Sequence, residues 1–269
     1  MPARYVRLKN LPFTALIALL LFTVSTLSGQ TVSAVPGHIQ DLSGQFPIDD
    51  QFSFEQQIQI GSQGNSTNDN PFAYGHALQF RPWFHYDGIP NTTLTGSVSY
   101  IYYFTVPGTS YYKHPEWRDT VIGTLKQPLH GGSIYEQIRG ELLNFHDSHG
   151  EVQHLPRVRI RLGQNLYLGE GGTKLGKPYL GLYQEAIPQF PQPSYSRVTF
   201  TDARFFAGAG FDLGSRTEVL LGFKAEAEVS SSGSTVTVFF GPAFSIEYNF
   251  RRSRPVNEHH QRTTAFKDF

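Results

Sequence analysis

The sequence predicts an all-β protein: a closed antiparallel transmembrane β-barrel of about ten strands, with eight and twelve as open alternatives. Three observations predict it. Alternation of apolar and polar residues persists far beyond the roughly 5–6 residues of an ordinary strand, as in TVTVFFGPAFSIEYNF at 235–250. Aromatic residues are 14% of the chain and charged residues 16%, against a usual charged share of about 25%. Beyond the N-terminus, no apolar run is long enough for a helix to cross a bilayer. A chain that spans must then do so as a closed barrel, because helices and barrels alone satisfy every backbone group in lipid.

The elements follow in chain order. Residues 1–34 read as a secretory leader: Arg4, Arg7 and Lys9 precede the uncharged LPFTALIALLLFTVSTLS, and small residues follow. Cleavage is expected after Gly29 or after Ala34. The balance then moves from 22 positive against 22 negative charges to 19 against 22, which leaves no basic field suited to nucleic acid. Residues 35–50 read as an N-terminal periplasmic segment, 51–250 as the barrel, and 251–269 as a disordered periplasmic tail. The chain has no Cys, so neither a disulfide framework nor a thiolate metal site is expected.

Ten segments carry strand character, at about 51–60, 73–86, 92–105, 118–127, 133–145, 154–168, 178–188, 199–213, 217–229 and 235–250. Their connections alternate in length. Those at 87–91 (DGIPN), 130–132 (HGG) and 214–216 (GSR) are short, and 169–177 (GEGGTKLGK) is the long exception. Short turns at one end and longer loops at the other are the habit of outer-membrane barrels. This pattern predicts both barrel termini at the short-turn end. Pro82, Pro156 and Pro242 lack a ladder donor and are expected at bulges.

Alternation then assigns sides. Val158, Ile160 and Leu162 oppose Arg157, Arg159 and Arg161; Val219, Leu221 and Phe223 oppose Glu218, Lys224, Glu226 and Glu228. Strand length and aromatic strand ends (Phe84, Tyr86, Phe211, Tyr248 and Phe250 at one level, Tyr102 and Phe104 at the other) favour lipid outside and charge inside. The predicted lumen set is Arg81, Lys126, Arg139, Arg157, Arg159, Arg161, Arg204 and Lys224 with Glu55, Glu141, Glu185, Asp202, Glu226 and Glu228. Eight positive charges against six negative suit a plug of paired side chains. A slender anion-favouring path along Arg157, Arg159 and Arg161 is the second reading.

The final strand, FSIEYNF, resembles the C-terminal assembly signal of bacterial outer-membrane proteins, carried by Phe244, Ile246, Tyr248 and Phe250. That resemblance implies insertion by the barrel-assembly machinery. The tail after Phe250 departs from it, since the aromatic usually ends the chain. From about 133 to 250, YEQIRGELLNF, RVRIRLGQNLYL, PYLGLYQEAI, DARFFAGAGFDL and the closing strand resemble a family of bacterial outer-membrane barrels catalogued as a domain of unknown function. The resemblance implies the fold and the outer membrane, and no activity.

The functional expectation is therefore a Gram-negative outer-membrane barrel, structural or envelope-associated, with outer-membrane lipid and the assembly machinery as partners. No cofactor, metal or catalytic residue is assigned. A porin-like narrow channel for small anionic solutes is one alternative. An outer-membrane hydrolase using the loop histidines of HDSHG (146–150) with His154 is another, and a soluble lipocalin-like binding barrel a third. His259 and His260 carry no assignment.

Overall fold

The computed structural model describes residues 31–250 except 66, 108–114, 130, 147–149, 169–177, 190–198, 214–215 and 230–234. Among the described residues every regular element is a strand: β1 (Thr31–Pro47), β2 (Phe52–Gln63), β3 (Tyr74–Ile89), β4 (Thr92–Tyr103), β5 (Glu116–Leu129), β6 (Gly132–His146), β7 (Val152–Tyr167), β8 (Tyr179–Gln189), β9 (Thr199–Asp212), β10 (Thr217–Val229) and β11 (Thr235–Asn249). They form one closed barrel in which each strand pairs with its sequence neighbours and β11 pairs with β1.

The closed all-β barrel is the predicted fold, and β2 to β11 are the ten predicted segments. The eleventh strand is a correction. Residues 35–50 are not a segment outside the barrel: 31–47 form β1, which pairs antiparallel with β2 and parallel with β11. The sequence hides this strand because Pro36, Gly37, His38 and Gln40 interrupt its alternation. With an odd strand count the two barrel ends cannot coincide. Thr31 starts at the longer-loop end and Asn249 finishes at the short-turn end, contrary to the expectation of one shared end. The leader assignment over 1–30 and the tail assignment over 251–269 lie outside the described residues. Cleavage after Ala34 would remove the first residues of β1; cleavage after Gly29 would spare them.

Local chemistry explains the turns. Between β1 and β2, Asp49 Oδ1 accepts hydrogen bonds from the Gln51 and Phe52 amides at 2.7 Å each. Asn91, between β3 and β4, has φ of 59°, and Gly131, between β5 and β6, has φ of 79°. These left-handed positions are the ones Asn and Gly tolerate in tight hairpins. With β1 included, the connections at 48–51, 90–91, 130–131 and 213–216 share one end with the longer 168–178. The connections at 64–73, 104–115, 147–151, 190–198 and 230–234 share the other.

The three prolines do not create bulges. Register is constant through Pro82 and Pro242, where the β3–β4 and β1–β11 ladders simply leave rungs unpaired. Pro156 pairs with Leu142 on β6 and lies beyond the β7–β8 ladder, which begins at Ile160. The missing donors are thus absorbed without an extra residue. Register shifts fall instead at Gly61/Ser62, Tyr86/Ile89 and Ile187/Pro188.

Side-chain polarity is inverted relative to a water-soluble barrel. Val121 is 68% exposed, Ile138 64% and Phe223 47%, while Arg159 is 2% exposed and Glu185 1%. The outer band has polar exceptions, with Gln40 and Gln56 among the apolar residues and Glu136 toward the short turns. Phe46 stacks on Phe250 at 4.2 Å, and Phe52–Tyr86 and Phe54–Phe84 pair at 4.9 and 5.2 Å near the short turns. Tyr102 and Phe104 pair at 5.1 Å near the other rim.

Candidate functional site

The interior is filled in two zones along the barrel axis, and a cavity occupies a third. Toward the short turns, Tyr135, Tyr179, Tyr183, Phe206, Leu220 and Ala243 form one buried cluster. Its rings lie over glycines. A Cβ built on Gly163 would fall 2.0 Å from the Tyr135 ring, one on Gly210 2.1 Å from Tyr179, and one on Gly222 2.4 Å from Phe206. The absent side chains of the neighbouring strands are what let these rings fold flat inside the wall. Tyr183 stacks on Phe206 at 5.3 Å, and the Arg161 guanidinium sits 4.2 Å from the Tyr183 ring centre. This last contact couples the aromatic zone to the charges above it.

The middle zone is a continuous ion-pair network. Glu141, on β6, gathers four guanidiniums: Arg157 Nε donates to it at 2.6 Å, Arg139 approaches at 2.7 Å, Arg159 at 3.3 Å and Arg118 at 3.6 Å. Glu185, on β8, accepts from Arg161 Nε at 3.0 Å and Arg159 Nε at 2.9 Å, and Arg204 reaches it at 3.4 Å. Glu226, on β10, accepts from Arg204 Nε at 2.6 Å and pairs with Lys224 at 2.7 Å. Arg118 is also paired with Glu116. The inward parity of β5 to β10 brings these residues to one level, and antiparallel pairing sets Arg139 opposite Arg159 and Glu185 opposite both Arg161 and Arg204. Burying so many ions is tolerable because each is opposed by charge, although some donors, Arg118 Nε and Arg157 Nη2 among them, lack an acceptor.

Of the predicted lumen set, Arg139, Glu141, Arg157, Arg159, Arg161, Glu185, Arg204, Lys224 and Glu226 join this network. Asp202 and Glu228 face inward and stand opposite each other across β9 and β10. Arg81 is inward on β3, where Nη2 donates to Gln59 at 3.4 Å and also to Gln79. Lys126 lies on the inward face of β5 closer to the short turns and is not among the charges meeting at Glu141, Glu185 and Glu226. Phe244, Ile246, Tyr248 and Phe250 all project from the outer face of the last strand, Phe250 being 47% exposed.

Sequence reasoning missed Glu116, because the segment at 118–127 begins two residues late, and Arg118, which opens that segment but is not among the predicted lumen charges. Extending its inward set back from Lys126 through Thr124, Ile122 and Thr120 would have reached both. It also missed the interior aromatics and the part that β1 plays in the polar wall, which on β2 to β4 includes the predicted Glu55 and Arg81. There, Trp83 Nε1 donates to Gln57 at 2.7 Å, and buried His85 bridges Glu55 at 3.1 Å and Thr95 at 3.0 Å. His146 and His154 are exposed at strand ends, and His154 Nδ1 lies 2.6 Å from Asn144 Oδ1. His149 falls outside the described residues. Among the described residues no group of three or more metal-ligating side chains occurs.

The third zone is a cavity of about 490 Å³ on the longer-loop side of the network. Arg118, Arg159, Arg204 and Lys224 line it from β5, β7, β9 and β10, while Val35, Ile39, Ala77 and Phe239 line it from β1, β3 and β11.

Comparison with protein-family models, with curated proteins and with solved structures finds no match. The fold and the lumen chemistry are therefore the grounds for a functional reading.

Proposed function

We propose that the chain is an exported outer-membrane β-barrel whose lumen is closed by the Glu141–Glu185–Glu226 ion-pair network, with a structural or envelope-associated role. The observation that carries this reading is the inversion of polarity: large apolar side chains form the outer band and ionised ones the interior. The opposite arrangement would suit a lipocalin-like barrel in water. Turning the inward arginines to lipid would cost about 2–4 kcal/mol each near a bilayer midplane. Even β8, at 11 residues, covers about 26 Å when tilted by the usual ~45°, close to an outer-membrane apolar band. The resemblance of 133–250 to uncharacterised outer-membrane barrels, and of FSIEYNF to an assembly signal, points the same way.

A blocked interior is favoured over a conducting one because Glu141 and Glu185 are essentially without exposed side-chain surface, and Tyr183 and Phe206 fill the space beneath them. The test is membrane fractionation with a gel run with and without boiling. The expected result is outer-membrane recovery and a mobility shift on boiling, with no unitary conductance in planar bilayers. Recovery as a periplasmic protein that stays soluble without detergent would refute the membrane reading, and stable conductance steps would refute the plug.

A further inference from the structure

We propose that the 490 Å³ cavity binds an organic anion, its charged head on the Arg118–Arg159–Arg204–Lys224 wall and its apolar body against β1, β3 and β11. Five cations line the space, Arg81 being the fifth, against the two carboxylates Glu226 and Glu228. The carboxylates that hold the network together, Glu141 and Glu185, are buried behind the guanidiniums and shared by four and three arginines respectively. Each guanidinium carries five N–H donors, so two shared carboxylates leave donors over. Arg118 makes this concrete: its Nε is buried and has no hydrogen-bond acceptor, although the side chain lines the cavity. A buried donor without an acceptor costs about 1–3 kcal/mol, more for a charged group; a seated anion would meet the guanidinium atoms that line the cavity rather than this enclosed Nε.

On the opposite side Val35, Ile39, Ala77, Val106 and Phe239 form an apolar patch, set among polar groups that include Gln59, Gln63 and, on β3, Arg81. A bare inorganic ion would leave this surface unused, and a volume of several hundred Å³ suits a small molecule. Because the network and the aromatic zone close the barrel below, the cavity is a terminus for the ligand and not a passage. This holds whether or not the barrel resides in a membrane.

The test is isothermal titration of the purified full chain, held in zwitterionic nanodiscs with empty discs as blank. The titrants are phenyl phosphate, octyl phosphate, inorganic phosphate and benzyltrimethylammonium. Both organic phosphates should bind at least tenfold more tightly than inorganic phosphate, and the organic cation should not bind. A tighter octyl arm assigns a lipid-derived ligand; a tighter phenyl arm assigns a water-soluble one. Lys224→Gln should weaken the organic phosphates at least fivefold. Should that variant not fold, the anion–cation comparison on the unaltered chain decides alone. Equal binding of anion and cation, no binding of either organic phosphate, or an unchanged affinity in a folded Lys224→Gln barrel overturns the proposal. A heat-modifiable membrane protein that ignores every anion defeats this inference alone. A detergent-independent soluble protein that binds them, titrated without nanodiscs, defeats the membrane reading alone.

Discussion

Glu141→Gln is the most demanding perturbation of the lumen. The Glu141 side chain has no exposed surface and balances Arg118, Arg139, Arg157 and Arg159. Its loss is felt unequally. Arg118 retains Glu116 and Arg159 retains Glu185, while Arg139 still lies over the Trp83 ring at 5.5 Å. Among the described residues Arg157 has Glu141 as its ion-pair partner and keeps no other carboxylate at that distance. Removing one member of a buried pair typically costs about 3–5 kcal/mol. The Arg157 side chain is 17% exposed, so partial hydration places the expected loss near the lower end, about 3 kcal/mol. Urea unfolding in detergent, followed by the fluorescence of Trp83 and Trp117 and by the boiled-versus-unboiled gel, measures it. Glu136→Gln, on the outer face of the same strand, should stay within about 0.5 kcal/mol. The double variant Glu141→Gln/Arg157→Gln should recover part of the loss, because the stranded charge is removed with its partner. If Glu141→Gln and Glu136→Gln shift stability alike, the network is not what holds the interior.

The closing seam makes two further predictions. The chain has no native Cys, and Leu42 is directly paired with Ile246 across the parallel β1–β11 ladder, so Leu42→Cys/Ile246→Cys should form an oxidant-dependent cross-link detectable on a non-reducing gel. Absence of the cross-link in a folded barrel would contradict the eleventh strand. Gly241→Ala should sharply reduce the folded fraction on the same gel, because its Cβ would lie 1.6 Å from the Gly37 carbonyl oxygen; Gly140→Ala, where nothing lies within 4 Å, should leave that fraction unchanged.

The sequence made legible those features that depend on one strand at a time. Each of β2 to β11 announces itself through a period of two, and that period sorts Arg157, Arg159 and Arg161 from Val158 and Ile160 without knowledge of any neighbour. Which acid meets which base depends on pairing register, and Arg118 meets Glu141 only because β5 and β6 lie side by side. The interior aromatics were illegible for a related reason. Tyr135, Tyr179 and Phe206 share the inward parity of Arg139, Glu185 and Arg204, but nothing within one strand tells that glycines on the neighbouring strands leave room for their rings inside.

The parallel seam is the hardest feature to read, because alternation fixes the side on which a residue points but not the partner of its strand. β11 has the same pattern whether it closes on β2 or on β1. The deciding stretch, 31–47, has its alternation broken where Gly37 approaches Gly241 and where His38 Nδ1 sits 2.9 Å from the Pro242 carbonyl oxygen. A strand shaped to seal against a particular neighbour sacrifices the regularity by which a sequence reveals it. The same interruption supplies part of the cavity wall, since Gly37, His38, Gly241 and Pro242 all border it. Repairing the pattern of β1 with a larger residue at Gly37 would thus alter two things together. A Cβ there would stand 3.3 Å from the Ser62 carbonyl oxygen on β2, and the wall facing the cationic side would move inward. Seam closure and the shape of the cavity are consequences of one local irregularity.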